Sequence, residues 1–173
     1  MARPKIENIR SLGDFATLFR WNLKVSTPPA VAPEFNTNTT NLRCESTNIP
    51  MLSGQSMELN IRGHTVKQPG IYRYNGQITL TFVETVDAKI HKALRAWREA
   101  CWQAKTGVTQ LKSDLEAVLV LEQLNNQDEV IWSYVLYGCF YEDGDFGQLD
   151  GTSGDAQRVT LTCSYDYFED NPA

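Results

Sequence analysis

The densest group of chemically capable side chains lies in an acidic, glycine-rich segment near the end of the chain. Its carboxylates could bind calcium or supply an acid and a base to a reaction; they are Glu142, Asp143, Asp145, Asp150 and Asp155. The segment lacks the D-x-[DN]-x-[DN]-G core and the closing Glu of a calcium-binding hand. An acid–base pair needs two carboxyl groups at a fixed separation in a cleft, and a glycine-rich loop gives no reason to expect one. The composition therefore indicates a solvated turn.

The two histidines, His64 and His91, are the next candidates for chemistry. Neither has a Cys, Asp or Glu at the spacing that a metal site or a catalytic triad would suggest. The sequence also contains no GxSxG, P-loop or dinucleotide-binding motif. We therefore expect no enzyme activity, no catalytic residue, no metal site, no cofactor and no small-molecule ligand.

Four cysteines lie far apart in the sequence, without a CxxC pair. They are Cys44, Cys101, Cys139 and Cys163. Three fall in predicted strands and one on a predicted helix, where a thiol usually behaves as a small hydrophobic group. We expect reduced, buried thiols in a protein made in the cytoplasm. Oxidation of some pair after release from the cell stays open as an alternative.

Composition points to one globular domain over residues 1–173. Hydrophobic residues make up 42% of the chain, and 16 basic against 21 acidic residues give a net charge of −5. This acidic net charge is not typical of a protein that binds nucleic acid tightly, because phosphate binding needs a clustered excess of Lys and Arg. The start of the chain has no apolar segment typical of a secretory signal, and the longest apolar run, residues 117–121, is far too short to span a membrane.

Most of the chain alternates apolar and polar residues with the period of a β-strand. A tight turn at Asn75-Gly76 is predicted to join strands 71–74 and 77–84 as a hairpin, because both residues tolerate positive φ. Residues 63–70 are predicted to form a polar turn. Further strands are predicted over residues 19–25, 40–48, 115–124, 130–140 and 158–168. Met57, Leu59 and Ile61 alternate with Glu58, Asn60 and Arg62 in the same way.

The period changes to that of an amphipathic helix over residues 87–104. Its apolar stripe consists of Ile90, Ala93, Leu94, Trp97 and Cys101. Thr85 or Asp87 is predicted to cap the start of this helix, and Gly107 to follow its end. The fold class is therefore mainly β, an antiparallel β-sandwich or barrel of about six or seven strands with one flanking α-helix.

Three segments show no strong period. Residues 1–17 are predicted to form an N-terminal arm, and residues 26–41 a loop rich in Pro, Thr and Asn. Residues 141–157 are the acidic, glycine-rich loop. Charge is segregated among the elements: Asp87–Lys105 carries five bases against two acids, whereas Glu142–Asp170 carries eight acids against one base. The helix is thus a candidate surface for partners, and Trp102 on its polar side is a candidate contact residue.

The strand order and several local strings resemble the tail tube proteins of contractile-tailed bacteriophages of the T-even kind. The resemblance is carried by residues 19–25 followed by 43–50, by 76–82 leading into the helix 87–102, and by 137–140 with the acidic loop and 165–168. Together these stretches cover most of the chain. Residues 26–41 form a longer insertion than the tight first hairpin usual in that family.

The resemblance implies a structural virion protein. Such proteins form hexameric rings that stack into a hollow tube inside a contractile sheath, with four strands per subunit joined into one inner barrel and the helix outside. The implied partners are further copies of the chain, the tail sheath, and the baseplate, tape-measure and tail-terminator proteins. DNA passes through without specific binding. The implied location is the virion tail, assembled in the host cytoplasm.

Alternation and this resemblance together assign three candidate surfaces. The lumen-lining candidates are Glu58, Asn60, Arg62, Gln77, Thr79 and Thr81, with Arg43 and Glu45 as further members. The sheath-facing candidates are Lys92, Arg95, Glu99 and Trp102. The ring-stacking candidates are Asn48, Pro50, Gly54, His64 and Lys67. Two alternatives stay open: the tube of a phage-like contractile injection or type VI secretion particle, and a monomeric β-barrel binding module with an interior pocket.

Overall fold

The computed structural model describes Arg3 and residues 5–172, which contain nine strands and four short or medium α-helices. The strands are β1 (Trp21–Thr27), β2 (Cys44–Thr47), β3 (Leu52–Ile61), β4 (His64–Tyr74), β5 (Gln77–Val83), β6 (Ala117–Leu124), β7 (Val130–Asp145), β8 (Arg158–Ser164) and β9 (Tyr167–Pro172). The helices are α1 (Ile6–Arg10), α2 (Thr37–Thr40), α3 (Lys89–Cys101) and α4 (Lys112–Leu115). The mainly β class with a flanking helix is thus confirmed.

Seven strands form one antiparallel sheet in the order β1-β6-β7-β8-β5-β2, with β9 also paired to β7. Strand β7 belongs to both halves of this sheet: up to Cys139 it pairs with β6 and β9, and beyond that point with β8. A bulge at Tyr137 and Gly138, where Gly138 has φ +68°, marks the change. We call β1-β6-β7-β9 the first layer and β2-β5-β8-β7 the second layer.

One hydrophobic core joins the two layers. Leu23, Leu119 and Leu136 from the first layer and Leu80 and Leu161 from the second belong to the same buried cluster. Alternation along each strand puts these residues on one face of the sheet, so the two inner faces pack against each other. The polar partners of the alternation are left on the outer faces.

Helix α3 closes one side of this core with the stripe predicted from its period. Ile90, Ala93, Leu94 and Trp97 are all buried. Trp97 is 0% exposed, and its indole N–H donates to the carbonyl of Leu115 at 2.7 Å. The helix is shorter at both ends than predicted, because Ala88 has a left-handed φ of +53° and Trp102 is extended.

The predicted cap of α3 is wrong. The hydroxyl of Thr85 and the carboxylate of Asp87 hydrogen-bond to each other. The carboxylate of Glu84 instead accepts from the backbone N–H groups of His91 at 2.7 Å and Ile90 at 3.4 Å. A carboxylate at this position satisfies free donors of the first turn and interacts favourably with the helix dipole.

The Pro-rich segment 26–41 is an integral part of the core. Phe35 is 0% exposed and its ring lies 4.9 Å from that of Trp97. The segment then forms α2, so residues 40–43 are helical and strand β2 starts only at Cys44, four residues later than predicted. Side chains of Thr37 and Asn41 accept from the backbone N–H groups of β1, each at 2.9 Å. These bonds cover the outer edge of β1.

The predicted turn 63–70 and the predicted hairpin at Asn75-Gly76 are both wrong. Strands β3 and β4 form one long antiparallel hairpin whose turn is Arg62-Gly63, where φ is +51° and +82°. Both central residues of such a two-residue turn need positive φ. Asn75-Gly76 instead connects β4 to β5, which lie in different sheets. Pro69 is accommodated opposite Ser56, beside a bulge in β4 at Gly70 and Ile71, since it has no N–H to donate.

Other boundaries differ because of tertiary contacts. The predicted strand 158–168 is broken into β8 and β9 at Tyr165-Asp166, where the Asp166 carboxylate pairs with Lys112. The predicted strand 115–124 starts after the short helix α4, and β7 extends through Asp145 into the predicted acidic loop. The predicted arm 1–17 contains α1, and Met1, Ala2 and Pro4 lie outside the described residues. Among the described helices, none has the length and apolar character needed to cross a membrane.

We predict that Trp97→Phe lowers the free energy of unfolding by about 2 kcal/mol, because the carbonyl of Leu115 loses its buried donor and the core loses volume. Chemical denaturation followed by circular dichroism measures this change. Trp102→Phe is the control, since that ring is exposed, and it should change stability by less than about 0.5 kcal/mol. Equal effects of the two substitutions would contradict the structure of the core.

We predict that Gly138→Ala destabilises the fold by about 2 kcal/mol, since it forces an L residue to positive φ in β7. Its Cβ would also lie 2.8 Å from the carboxyl carbon of Asp166. The control is Gly151→Ala, because a Cβ there meets nothing within 4 Å and no positive φ is required. Chemical denaturation measures the free energy of unfolding of both variants. A Gly138→Ala variant as stable as the control would show that the bend does not depend on this glycine.

Candidate assembly surfaces

The outer face of the second layer is a continuous hydroxyl-rich surface. Strands β5 and β8 pair Gln77 with Ser164, Thr79 with Thr162 and Thr81 with Thr160. The residues between them, such as Leu80 and Leu161, point into the core and are buried. We call the surface formed by Gln77, Thr79, Thr81, Thr160, Thr162 and Ser164 the polar face. Helix α3 packs on the opposite side of the core from it.

Charged groups border the polar face and are mostly acidic. The guanidinium of Arg158 donates to both carboxylate oxygens of Glu45, at 2.6 and 3.0 Å, and this hydrogen bonding lowers the pKa of Glu45. Glu142 accepts from the amide of Gln77 at 2.7 Å and from Ser164. Asp143 and Asp145 lie opposite Thr162 and Thr160. One guanidinium against four carboxylates gives 1 − 4 = −3 for this surface.

The predicted lumen residues fall into two separate groups. Gln77, Thr79 and Thr81 lie together on the polar face. The other three lie on the β3–β4 hairpin, where Arg62 is a turn residue and Glu58 pairs with Lys67 at 2.9 Å. Asn60 accepts from Thr65 across the same hairpin. Of the two further members, Glu45 borders the polar face, whereas Arg43 donates to the carbonyl of Thr39 at the edge of α2.

The predicted ring-stacking residues also lie in separate parts of the structure. Gly54, His64 and Lys67 lie on the exposed hairpin. Asn48 holds the start of the hairpin to the second layer, because its side-chain oxygen accepts from the N–H of Thr79 at 2.6 Å. Pro50 is buried within the subunit. Its burial does not favour a contact with another ring, and this assignment stays a prediction.

The predicted sheath-facing residues share one exposed surface on and after α3. Lys92, Arg95 and Glu99 are exposed, and Arg95 donates to Glu99 at 2.8 Å, which lowers the pKa of Glu99. Trp102 is 59% exposed, with its ring against Gly107. Four bases against one acid give α3 a charge of 4 − 1 = +3. This is a basic surface with an aromatic side chain at its end.

The acidic loop is anchored to that same helix. Phe146, directly after β7, lies 4.3 Å from the ring of His91 and beneath the guanidinium of Arg98 at 5.5 Å. Beyond it, Asp150 and Asp155 make only local turn bonds, to Thr152 and Ser153. Within the described residues, no three His, Cys, Asp or Glu side chains come together as a metal site requires.

All four cysteines have free thiols. Burial raises the pKa of Cys44 and of Cys139 to about 12, and it raises that of Cys163 well above the ordinary value. Thiols held in the protonated form are poor nucleophiles. Cys139 and Cys163 belong to the buried core, and Cys44 and Cys101 are half-buried and pack against it.

Sequence reasoning missed half of the polar face. Thr160, Thr162 and Ser164 alternate with buried residues along β8, and this alternation is visible in the sequence. The pairing of β8 with β5, however, cannot be predicted from the local sequence pattern. A register between strands about 80 residues apart is set by the whole fold and not by local pattern.

Three solved structures show the same fold. The chain matches the tube-terminating cap of the anti-feeding prophage with a TM-score of 0.69 and 15% identity, covering 93% of each chain. It matches a chain of the anti-feeding prophage baseplate with a TM-score of 0.66 and 12% identity, covering 92% of this chain and 97% of that one. It matches a chain of the sheath–tube complex of the extracellular contractile injection system PVC with a TM-score of 0.64 and 14% identity, covering 98% and 99%. No curated protein sequence gives a significant match.

A profile of one protein family matches residues 15–169, from the end of the N-terminal arm to the middle of β9. The matched stretch includes the two layers, the hairpin and α3. This match agrees with the resemblance seen in the sequence and with the fold shared with the three solved structures. The chain belongs to the phage tail tube protein family.

Proposed function

We propose that six copies of this tube protein close into a ring whose channel is lined by the polar face, and that rings stack into the inner tube of a contractile phage tail. The observation that carries this proposal is the polar face itself. A hydroxyl-rich sheet surface opposite a buried apolar face is typical of a sheet with water on one side. A ring of such sheets encloses an aqueous channel.

The open edges of the second layer support assembly through strand pairing. Strand β2 pairs with β5 on one side, and no strand of the described chain lies on its other side. At the opposite end, β6 stops at Ala117 opposite Cys139, so β7 is free of β6 from residue 140 onward. Unpaired edges tend to add a further strand. Pairing β2 of one subunit with β7 of the next would join four strands per subunit into one barrel.

The charge of the polar face suits a conduit for DNA. Carboxylates outnumber guanidinium groups there by three, so the wall repels phosphates and does not bind them. The exposed hydroxyl of Thr79 and the half-buried hydroxyl of Thr162 offer weak and sequence-independent contacts. DNA is therefore expected to slide along this wall without a stable contact.

The outward basic surface on α3 is proposed to bind the sheath, through Lys92, Arg95, Glu99 and Trp102. The exposed hairpin, with Gly54, His64 and Lys67, is proposed to contact the neighbouring ring. Baseplate, tape-measure and terminator proteins would meet the ends of the tube. The subunits would assemble in the host cytoplasm and function without catalysis in the virion tail.

The experiment that tests ring formation is electron microscopy of the chain produced together with its baseplate and sheath proteins. Six-fold rings and hollow tubes are expected, and only isolated subunits in the presence of these partners would contradict the proposal. The same tube could serve a genome-free injection particle, and DNA in the purified particle distinguishes a phage tail from that alternative.

We predict that Thr79→Arg slows DNA ejection by about ten-fold or more, because a ring of guanidinium groups in the channel binds phosphates. Thr79→Glu is the matched control and should eject DNA at the normal rate. Ejection is followed as dye uptake by released DNA, and tube assembly is checked by microscopy. Slow ejection by both variants, or by neither, would show that Thr79 does not face the passing DNA.

We predict that Trp102→Ala leaves tubes intact but weakens sheath binding about ten-fold, because a tryptophan that a partner covers often contributes strongly to affinity. Leu149→Ala is the control, since that side chain is exposed by 95% and belongs to the acidic loop and not to the helix. Sheath bound per tube is measured by sedimentation of mixed components. A loss with Leu149→Ala but not with Trp102→Ala would place the sheath on the loop instead.

A further inference from the structure

We infer that the C-terminal strand β9 sets the angle of the β3–β4 hairpin, through an aromatic clamp formed by Phe168 with Tyr74, and that this angle controls ring stacking. The first part concerns the isolated subunit, and the second rests on the proposed function of the hairpin.

The hairpin receives little support along its length. Every residue of β3 and of β4 is exposed, including apolar side chains such as Met57 and Ile61. The strands pair with each other and with no other strand of the described chain. Its direction relative to the two layers is therefore decided where it joins the sandwich.

Two short segments connect the hairpin to the sandwich. Asn48 to Met51 leads into β3, and Asn75-Gly76 leads out of β4. The N–H of Asn75 donates to the carbonyl of Met51 at 3.1 Å, which closes the base of the hairpin. Gly76 has φ +73°, a conformation that glycine adopts without strain. The side chain of Asn48 accepts from the N–H of Thr79 at 2.6 Å, and the carbonyl of Gly76 accepts from the N–H of Tyr165 at 2.9 Å. These bonds hold the two connections to the sandwich but do not set the direction of the hairpin beyond them.

Aromatic contacts supply the missing restraint. The ring of Tyr74, the last residue of β4, meets the ring of Phe168 edge to face, with centroids 5.2 Å apart. Phe168 lies on the core side of β9, opposite Leu136, and also contacts Tyr165 and Tyr134 at 6.2 and 6.4 Å. The hydroxyl of Tyr165 donates to the side chain of Asn75. The clamp thus connects the hairpin base to the core of the first layer.

A small change of angle at this clamp has a large effect at the hairpin tip. The 11 residues of β4 span about 35 Å at roughly 3.3 Å per residue. A rotation of about 10° at the base then moves the tip by about 6 Å, more than the spacing of about 4.8 Å between paired strands. A contact made by His64 or Lys67 near the tip therefore needs the clamp to be formed.

The experiment compares Phe168→Ala with Tyr167→Ala in the full chain. Tyr167 is adjacent on the same strand, but its ring stacks on Tyr137 on the opposite face of the sheet at 4.7 Å. Tyr74→Ala removes the other half of the clamp without altering β9, and Tyr74 is 42% exposed, so folding should not depend on it. Residual dipolar couplings of backbone amides report whether hairpin and sandwich move as one body, and microscopy with the partner proteins counts tubes.

In the wild type and in Tyr167→Ala, couplings from the hairpin and the sandwich should fit one alignment tensor. In Phe168→Ala and Tyr74→Ala, the hairpin couplings should shrink while those of β5 to β8 stay unchanged, and tubes should fall about ten-fold. A single tensor for Tyr74→Ala would overturn the clamp. Loose hairpins with normal tube numbers would overturn its role in stacking. If the wild type formed no tubes, the proposed function would fail, but the couplings would still decide the clamp.

Discussion

The bend of β7 at Gly138 is the constraint on which the rest of the structure depends. At this residue the strand leaves β6 and β9 and becomes the partner of β8, so one sheet folds into two facing layers. The positive φ of Gly138 favours glycine at this residue, and a Cβ there would lie 2.8 Å from the carboxyl carbon of Asp166. Because the layers share one core, closed by Trp97 and Phe35, their polar residues must lie on the outside. The polar face proposed to line the channel follows from this single bend.

The same architecture separates the edges that are covered from those that are open. The side chains of Thr37 and Asn41 occupy the N–H groups of β1, so the first layer is protected from strand addition there. The second layer keeps an open edge at β2 and at the end of β7. The long insertion 26–41 therefore contributes both core packing and edge protection. The proposed assembly uses the edges that this segment leaves free.

Local sequence patterns predicted the helices and strands in which buried apolar residues recur at a regular spacing. The stripe of α3 was correct because its buried residues recur every three or four positions, and the alternation of β5 was correct because Ile78, Leu80 and Phe82 are all buried. Of strand β4 only residues 71–74 were predicted, because none of its residues is buried in the subunit and no burial pattern marks residues 64–70. Likewise the lumen prediction joined Glu58 to Thr79, although they lie on different sheets. The sheet to which a strand belongs depends on pairing across the whole fold, and such pairing has no local signature.

The most direct test of the account is a reconstruction of the assembled tube at a resolution that shows side chains. We expect the hydroxyls of Thr79 and Thr162 on the channel wall, strand β2 paired with β7 of the next subunit, and α3 on the outside of the tube. The outer face of the first layer carries half-buried valines, Val120 and Val135 among them. A tube with these valines on the channel wall, and with Thr79 packed between subunits, would contradict the central claim.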